Sequence, residues 1–403
     1  MSNDTKVMQD QDTAILDKWA TEPDGPVALY LKQTLLPVED SRIIFPPTYA
    51  DIGYNIDTLS DGKRVATIDS VGSQANRLEP IFKSDPTNPD EWLVPQIEID
   101  LGDKTIALLD LAHRAADAVV RSSPELFLKL IEPAFTELQK KGNAGRLCAI
   151  APTSLVFGVW DSRGDSGVKC PRLVRSIIRA WDVEVIHAAA QFNSSWKLLK
   201  GDDQKELEEE EKKKDRKGLS EVGLKDAPVT FRKTDKIRQF VDGAPNPEAR
   251  VLGGVLVKEN GRIEREVTVN LVALRNLRGE NDTETDALRK YLLGLSLVAA
   301  TADMELFLRE GCLLRYAENS DTWWQVPRRG EPTQVNLSRD TIKHYAKTVT
   351  GHFRDEWPKV FKDKWPKNGT MPELKYQFDI EEAKKLLAKK TKGERAADLE
   401  QSS

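Results

Sequence analysis

Apolar and polar positions alternate from Arg64 to Asp69, which predicts a strand, and Asp61-Gly62 before it is a turn signal. Phe45-Pro46-Pro47-Thr48 reads as a rigid, extended entry. A second β region is expected over 93–109, turning at Gly102-Asp103. The spacing then becomes helical over Leu111–Arg121 and Glu125–Lys141. Ser122-Ser123-Pro124 between them sets Ser123 as an N-cap and Pro124 at a first helical position. Arg146–Trp160 is apolar and carries β-branched residues, which predicts strands at Leu147–Ile150 and Leu155–Trp160. Asp161–Lys169 reads as a polar loop and Pro171–Phe192 mainly as helix. Val251–Leu274 predicts two strands hinged on Glu259-Asn260-Gly261, a hairpin signal. Thr285–Arg309, Ser338–Phe361 and Ile380–Lys390 read as helices. Strands and helices are mixed without strict alternation, which favours an α+β fold.

The chain has 403 residues, enough for one large or two ordinary domains. The longest apolar run, Leu292–Ala302, is too short to cross a bilayer and contains Gly294, Ser296 and Thr301. The first residues lack the layout of a signal peptide. Cys148, Cys170 and Cys312 lie far apart, without a CxxC pair, which fits a reducing cytoplasm. The net charge of −5 argues at first against a nucleic-acid partner. The distribution argues the other way. Residues 1–62 carry 11 acidic and 4 basic side chains, whereas 145–197 carry 7 basic and 4 acidic and 339–375 carry 9 basic and 5 acidic. A polyanion responds to the local field rather than to the sum. Asp202–Lys217, with 8 acids and 6 bases, cannot bury a core and reads as a solvated helix or a mobile insertion.

Two segments share a strand, polar turn, helix layout. In DSVGSQANRLE (69–79), Ser73 is the expected N-cap and Ala75, Leu78 and Phe82 the apolar stripe. Ser70, Ser73, Gln74, Asn76 and Arg77 then offer donors without negative charge, as a phosphate seat at a helix N-terminus requires. The plain alternative is helix capping, with Arg77 pairing a nearby acid. In PTSLVFGVWDSRGDSGVKCPRLVRSIIRAW (152–181), a helix from Pro171 would align Arg172, Arg175 and Arg179, beside a loop that contributes Ser162, Arg163 and Lys169. Guanidinium groups bind phosphate oxygens in bidentate fashion, although a solvated basic face has the same pattern. A third cluster, LAHRAADAVVRSS (111–123), places His113 with Asp117 and Arg114 with Arg121 on a helix. Two such groups are too few for a metal, so a structural His–Asp pair is expected. Trp357, Phe361 and Trp365 sit among lysines, where base stacking competes with simple burial of an aromatic stripe. No phosphate-loop, dinucleotide or HExxH signature is present, and no metal or cofactor site is expected.

FPPTY (45–49), DSVGSQANRLE (69–79), HRAADAVVRSS (113–123), PTSLVFGVWDS (152–162) and RLVRSIIRAW (172–181) together resemble the backbone subunit of the type I-G (formerly I-U) CRISPR surveillance complex, Cascade. The resemblance implies a modified RNA-recognition, or ferredoxin-like, palm with inserted thumb and finger elements and a helical C-terminal part. It implies a non-catalytic subunit that polymerises head to tail along the guide RNA (crRNA). Such a subunit presents bases to a target DNA strand, beside other Cascade subunits and away from membranes. Ser73, Gln74 and Arg77 fill a Ser-Gln-x-x-Arg-like pattern that touches the guide in related subunits. The expected division is an acidic segment (1–40), the palm (41–192 and 251–375), a charged insertion or thumb (193–250) and a C-terminal helix and tail (376–403). The alternatives are a metal-dependent ribonuclease that cleaves bound target RNA, with Asp69 or Asp161 as the loop aspartate, and a guide-free protein scaffold.

Overall fold

The computed structural model describes residues 13–49, 53–83, 91–162, 167–188, 195–213, 251–355 and 371–388, with a few isolated positions besides. Arg163 and the Trp357, Phe361 and Trp365 tail lie outside the described residues.

The strands that position the site are β1 (Ala28–Pro37), β2 (Ile56–Thr58), β3 (Arg64–Asp69), β4 (Gln96–Asp100), β5 (Thr105–Ala107), β6 (Val159–Trp160), β7 (Lys169–Cys170) and β8 (Val174–Ala188). They continue with β9 (Val251–Asn270), β10 (Phe307–Arg309), β11 (Cys312–Tyr316), β12 (Thr322–Val326), β13 (Thr333–Val335) and β14 (Glu373–Gln377). A curled antiparallel sheet runs in the order β10-β11-β1-β9-β8-β3-β2, with β12 also on β1 and β13 on β12. The fold is α+β. The helices that matter here are α1 (Val71–Leu78), α2 (Glu132–Lys141), α3 (Gly145–Ile150), α4 (Thr153–Val156), α5 (Asp282–Thr301) and α6 (Arg339–Asp355).

Strand alternation decides which face is covered. Leu29, Leu31, Gln33 and Leu35 of β1, Arg265, Val267 and Val269 of β9, and Val174, Ser176 and Ile178 of β8 are all buried and in register. Helices α1 and α5 pack on this face. The opposite face carries Tyr30, Lys32, Arg175, Arg179 and Trp181.

β3 and the turn at Gly102 form as expected, and Pro124 does open a helix. Asp202–Lys217 is a solvated helix where it is described, Gly201–Lys213. Five expectations are corrected. Pro171–Phe192 is not a helix: Val174–Ala188 is a strand along β9, and its six Val and Ile residues suit a pleated surface. Leu147–Ile150 and Leu155–Trp160 are not strands; α3 and α4 take most of them, and only Val159-Trp160 is extended. Both short helices are buried nearly all round, so they show no polar stripe and read like core strands. Glu259-Asn260-Gly261 is not a hairpin but a bulge within β9, with Trp181 opposite Arg262 and Val183 opposite Val257. Arg42 fastens this bulge from outside by donating to the carbonyls of Lys258, Glu259 and Gly261. Leu111–Arg121 breaks at Asp117, whose carboxylate accepts from the backbone N–H groups of His113 and Val119. The expected His113–Asp117 pair is therefore a cap made through the backbone. Thr285–Arg309 stops as a helix at Thr301, and 307–309 form β10. The described part of Ser338–Phe361 is helical over Arg339–Asp355, and that of Ile380–Lys390 over Ile380–Ala388.

Candidate nucleic-acid interface

Helix α1 starts one turn earlier than expected. Ser70 is the N-cap, and its hydroxyl accepts from the Ser73 N–H at 3.3 Å. The N–H groups of Val71 and Gly72 belong to the first turn, which a helix cannot pair internally. Ala75 and Leu78 are buried, while Ser73 is partly exposed and Asn76, one turn on, is exposed on the same side.

Gln74 turns the other way and is fully buried. Its amide donates to Asp69 Oδ2 at 2.6 Å, and its Oε1 accepts from Ser176 Oγ at 2.7 Å and Arg265 Nε at 3.2 Å. Arg265, wholly buried, also donates to Gln33 Oε1 at 2.6 Å and to the carbonyls of Ala300 and Ala299. Those carbonyls close the C-terminal end of α5, where a cation suits the helix dipole. Burial pushes the Arg265 guanidinium down to about 10, which leaves it charged at neutral pH. Arg77 stands 3.3 Å from Asp69 Oδ2 and donates to the Leu308 carbonyl at 3.0 Å. Gln74 and Arg77, two of the three residues of the Ser-Gln-x-x-Arg pattern, thus tie α1 to β1, β8, β9, α5 and β10. The plain reading of Arg77, pairing a nearby acid, is the observed geometry, and the acid is Asp69.

The outer half of α1 meets the second segment through Arg114. This side chain is buried, with Nε 2.7 Å from Glu79 Oε2; its other nitrogens donate to Asn76 Oδ1 and the Gly158 carbonyl, both at 3.3 Å. Burial pushes the Glu79 carboxyl up to about 7 against the opposing pull of Arg114. Burial lowers the Arg114 guanidinium from its ordinary value, and nearby Arg172 lowers it further. Arg172, exposed, donates to the Phe157 carbonyl at 3.0 Å and crosses Gly158. Gly158 has φ +82°, and a Cβ there would lie 2.7 Å from Arg172 Cγ, so only glycine allows the crossing. The turn opens into the β6–β7 pair, where Lys169 faces Trp160 with Nζ 5.3 Å from the ring centre. Trp160 is 62% exposed.

Asn76, Arg114, Arg172, Lys169 and Trp160 therefore converge on one corner, bordered by exposed Ser162. Arg175 and Arg179 do not join it. As strand residues they alternate with Ser176 and Ile178 and lie on the opposite sheet face, Arg179 paired with Glu266 at 3.0 Å. Trp160 is the functional candidate missing from the sequence reading; its exposure beside a conformationally special glycine is a signal only the fold reveals. Asp69 and Asp161 are both buried and ion-paired, with Arg77 and Arg121 respectively. Among the described residues, no group of three or more His, Cys, Asp or Glu side chains could hold a metal. No helix among them is long and apolar enough to cross a membrane.

A curled antiparallel sheet with a basic, aromatic-bearing corner beside its first packed helix defines an α+β protein with a surface suited to a polyanion. Residues 29–185 match the family model described as CRISPR-associated protein GSU0053. Over that stretch the chain is similar to a family of CRISPR-associated proteins. It covers less than half of the chain, yet spans β1 through most of β8 and includes every residue of the corner. No curated protein matches the chain.

Proposed function

We propose that this chain is a non-catalytic crRNA-binding backbone subunit of a type I-G Cascade complex. Copies line up head to tail along the guide, beside other Cascade subunits, and offer its bases to a target DNA strand. The observation that carries the reading is the convergence of the exposed face of α1 with the Gly158–Arg172 turn through Arg114. Arg172 and Lys169 supply positive charge, Asn76, Ser73 and the first N–H groups of α1 supply donors, and Trp160 supplies a ring. The acids beneath the corner, Glu79 and Asp161, are buried and paired with arginines. Such a corner grips sugar and phosphate and leaves base identity to Watson–Crick pairing. A head-to-tail contact is heterologous and permits open growth along a strand.

The test is RNA binding by Arg172→Ala and Lys169→Ala across a salt series. Each variant should weaken binding similarly for all sequences and lower the salt slope by about 0.7 per lost phosphate contact. A slope equal to that of the unmodified protein would refute the corner.

A further inference from the structure

The sheet face opposite α1 and α5 has a composition of its own. In register across it lie Tyr30 and Lys32 on β1, Arg262, Glu264 and Glu266 on β9, Arg175, Arg179 and Trp181 on β8, and Trp324 on β12. The two acids that β9 places on it are already engaged. Glu264 is paired with Arg262 at 2.9 Å and Lys32 at 3.5 Å, and Glu266 with Arg179 and the Tyr30 hydroxyl at 3.0 and 2.6 Å. What the face presents outward is cationic and aromatic. Tyr30 and Trp324 form a tilted pair with ring centres 5.5 Å apart, and the Arg179 and Arg262 guanidinium groups lie 6.0 and 5.2 Å from the Trp181 ring centre. Tyr30 is level with Arg175, six strand positions from Trp181, which separates the two ring stations by about 20 Å. Exposed Arg175 and half-buried Arg179 occupy the interval.

We propose that this open face is a second seat for single-stranded nucleic acid, with bases stacking at Tyr30–Trp324 and at Trp181 and phosphates following Arg175, Arg179 and Arg262. The inference goes beyond the guide corner, since α1 lies on the other side of the sheet. Four basic side chains set against the two engaged acids of β9 select a polyanion, and ring faces select one whose bases are unpaired. A duplex hides those bases, and a neutral peptide has no use for the charge.

The experiment uses the full chain and labelled single strands about 10 nucleotides long, within single-strand site sizes. They carry iodouridine (RNA) or iododeoxyuridine (DNA) for photocrosslinking, so that the two sources are told apart. Adducts are expected on Trp181 and on Tyr30 or Trp324. Trp181→Leu and Trp324→Leu should each weaken binding about tenfold, while Trp181→Phe and Trp324→Phe, which keep a ring and guard against misfolding, bind nearly as the parent does. Adducts confined to Trp160, or leucine variants that bind like the parent, would overturn the second seat and leave the guide corner standing. Adducts at Trp181 with none at Trp160 support the second seat and count against the corner.

Discussion

Arg114 concentrates the cost of the corner in one residue. Its backbone is left-handed, with φ 54°, a conformation that costs a non-glycine residue about 1 kcal/mol. The Glu79 pair, Asn76 and the Gly158 carbonyl hold it there. Arg114→Ala would leave Glu79 buried without its cation, and the loss should reach about 3 kcal/mol in urea unfolding at neutral to mildly alkaline pH. The pH dependence follows from Glu79, whose folded value of about 7 lies above its ordinary 4.5. Over that window the folded protein retains a proton that the unfolded chain has lost, so stability falls as pH rises. Without Arg114 the carboxyl moves higher still, and the variant's deficit should shrink toward the acid end of the window. A pH-independent deficit would argue that the pair is unimportant. At this scale the donor-rich turn was legible in the sequence, but its division into an inner and an outer half was not. The partners that draw Gln74 inward, Ser176 and Arg265, lie 102 and 191 positions away. Gln74→Ala should therefore cost about 2 kcal/mol by stranding buried donors and acceptors, measured by urea unfolding.

Among elements, the errors share a cause. β3 was legible because Arg64, Thr67 and Asp69 interleave its apolar residues and a turn signal precedes it, although four of its six residues are buried on both faces. The short helices α3 and α4 are buried all round, and burial erases the periodicity that separates helix from strand. β8 misleads differently: Arg172, Arg175 and Arg179 happen to fit a helical stripe, although only the last two share a strand face. β1 is absent from the expected elements because buried Gln33 interrupts its apolar positions and Leu35-Leu36 doubles them. Asn260-Gly261 carries the signal of a turn and makes a bulge instead, for a reason that fixes its glycine. A Cβ at Gly261 would lie 2.6 and 2.8 Å from the carbonyl oxygens of Trp181 and Asp182. Gly261→Ala should destabilise the protein by about 1–3 kcal/mol in urea unfolding, because backbone atoms cannot step aside as a side chain would.

At the scale of the whole molecule, an assembled particle given complementary RNA and Mg²⁺ is expected to leave that RNA intact. Cleavage lost on replacing Asp69 or Asp161 would reverse the non-catalytic reading. Assembly presupposes a finished sheet, and the order of its strands makes that late. Residues 28–32 of β1 pair with β9 on one side and with β12, at 322–326, on the other, and β4 finds a parallel partner only in 373–377. A nascent chain leaves the ribosome at about 5–20 residues per second, so β1 waits tens of seconds with both edges bare. Synthesis rather than assembly is then the hazardous stage, and a holding chaperone should engage β1 until the last strands emerge.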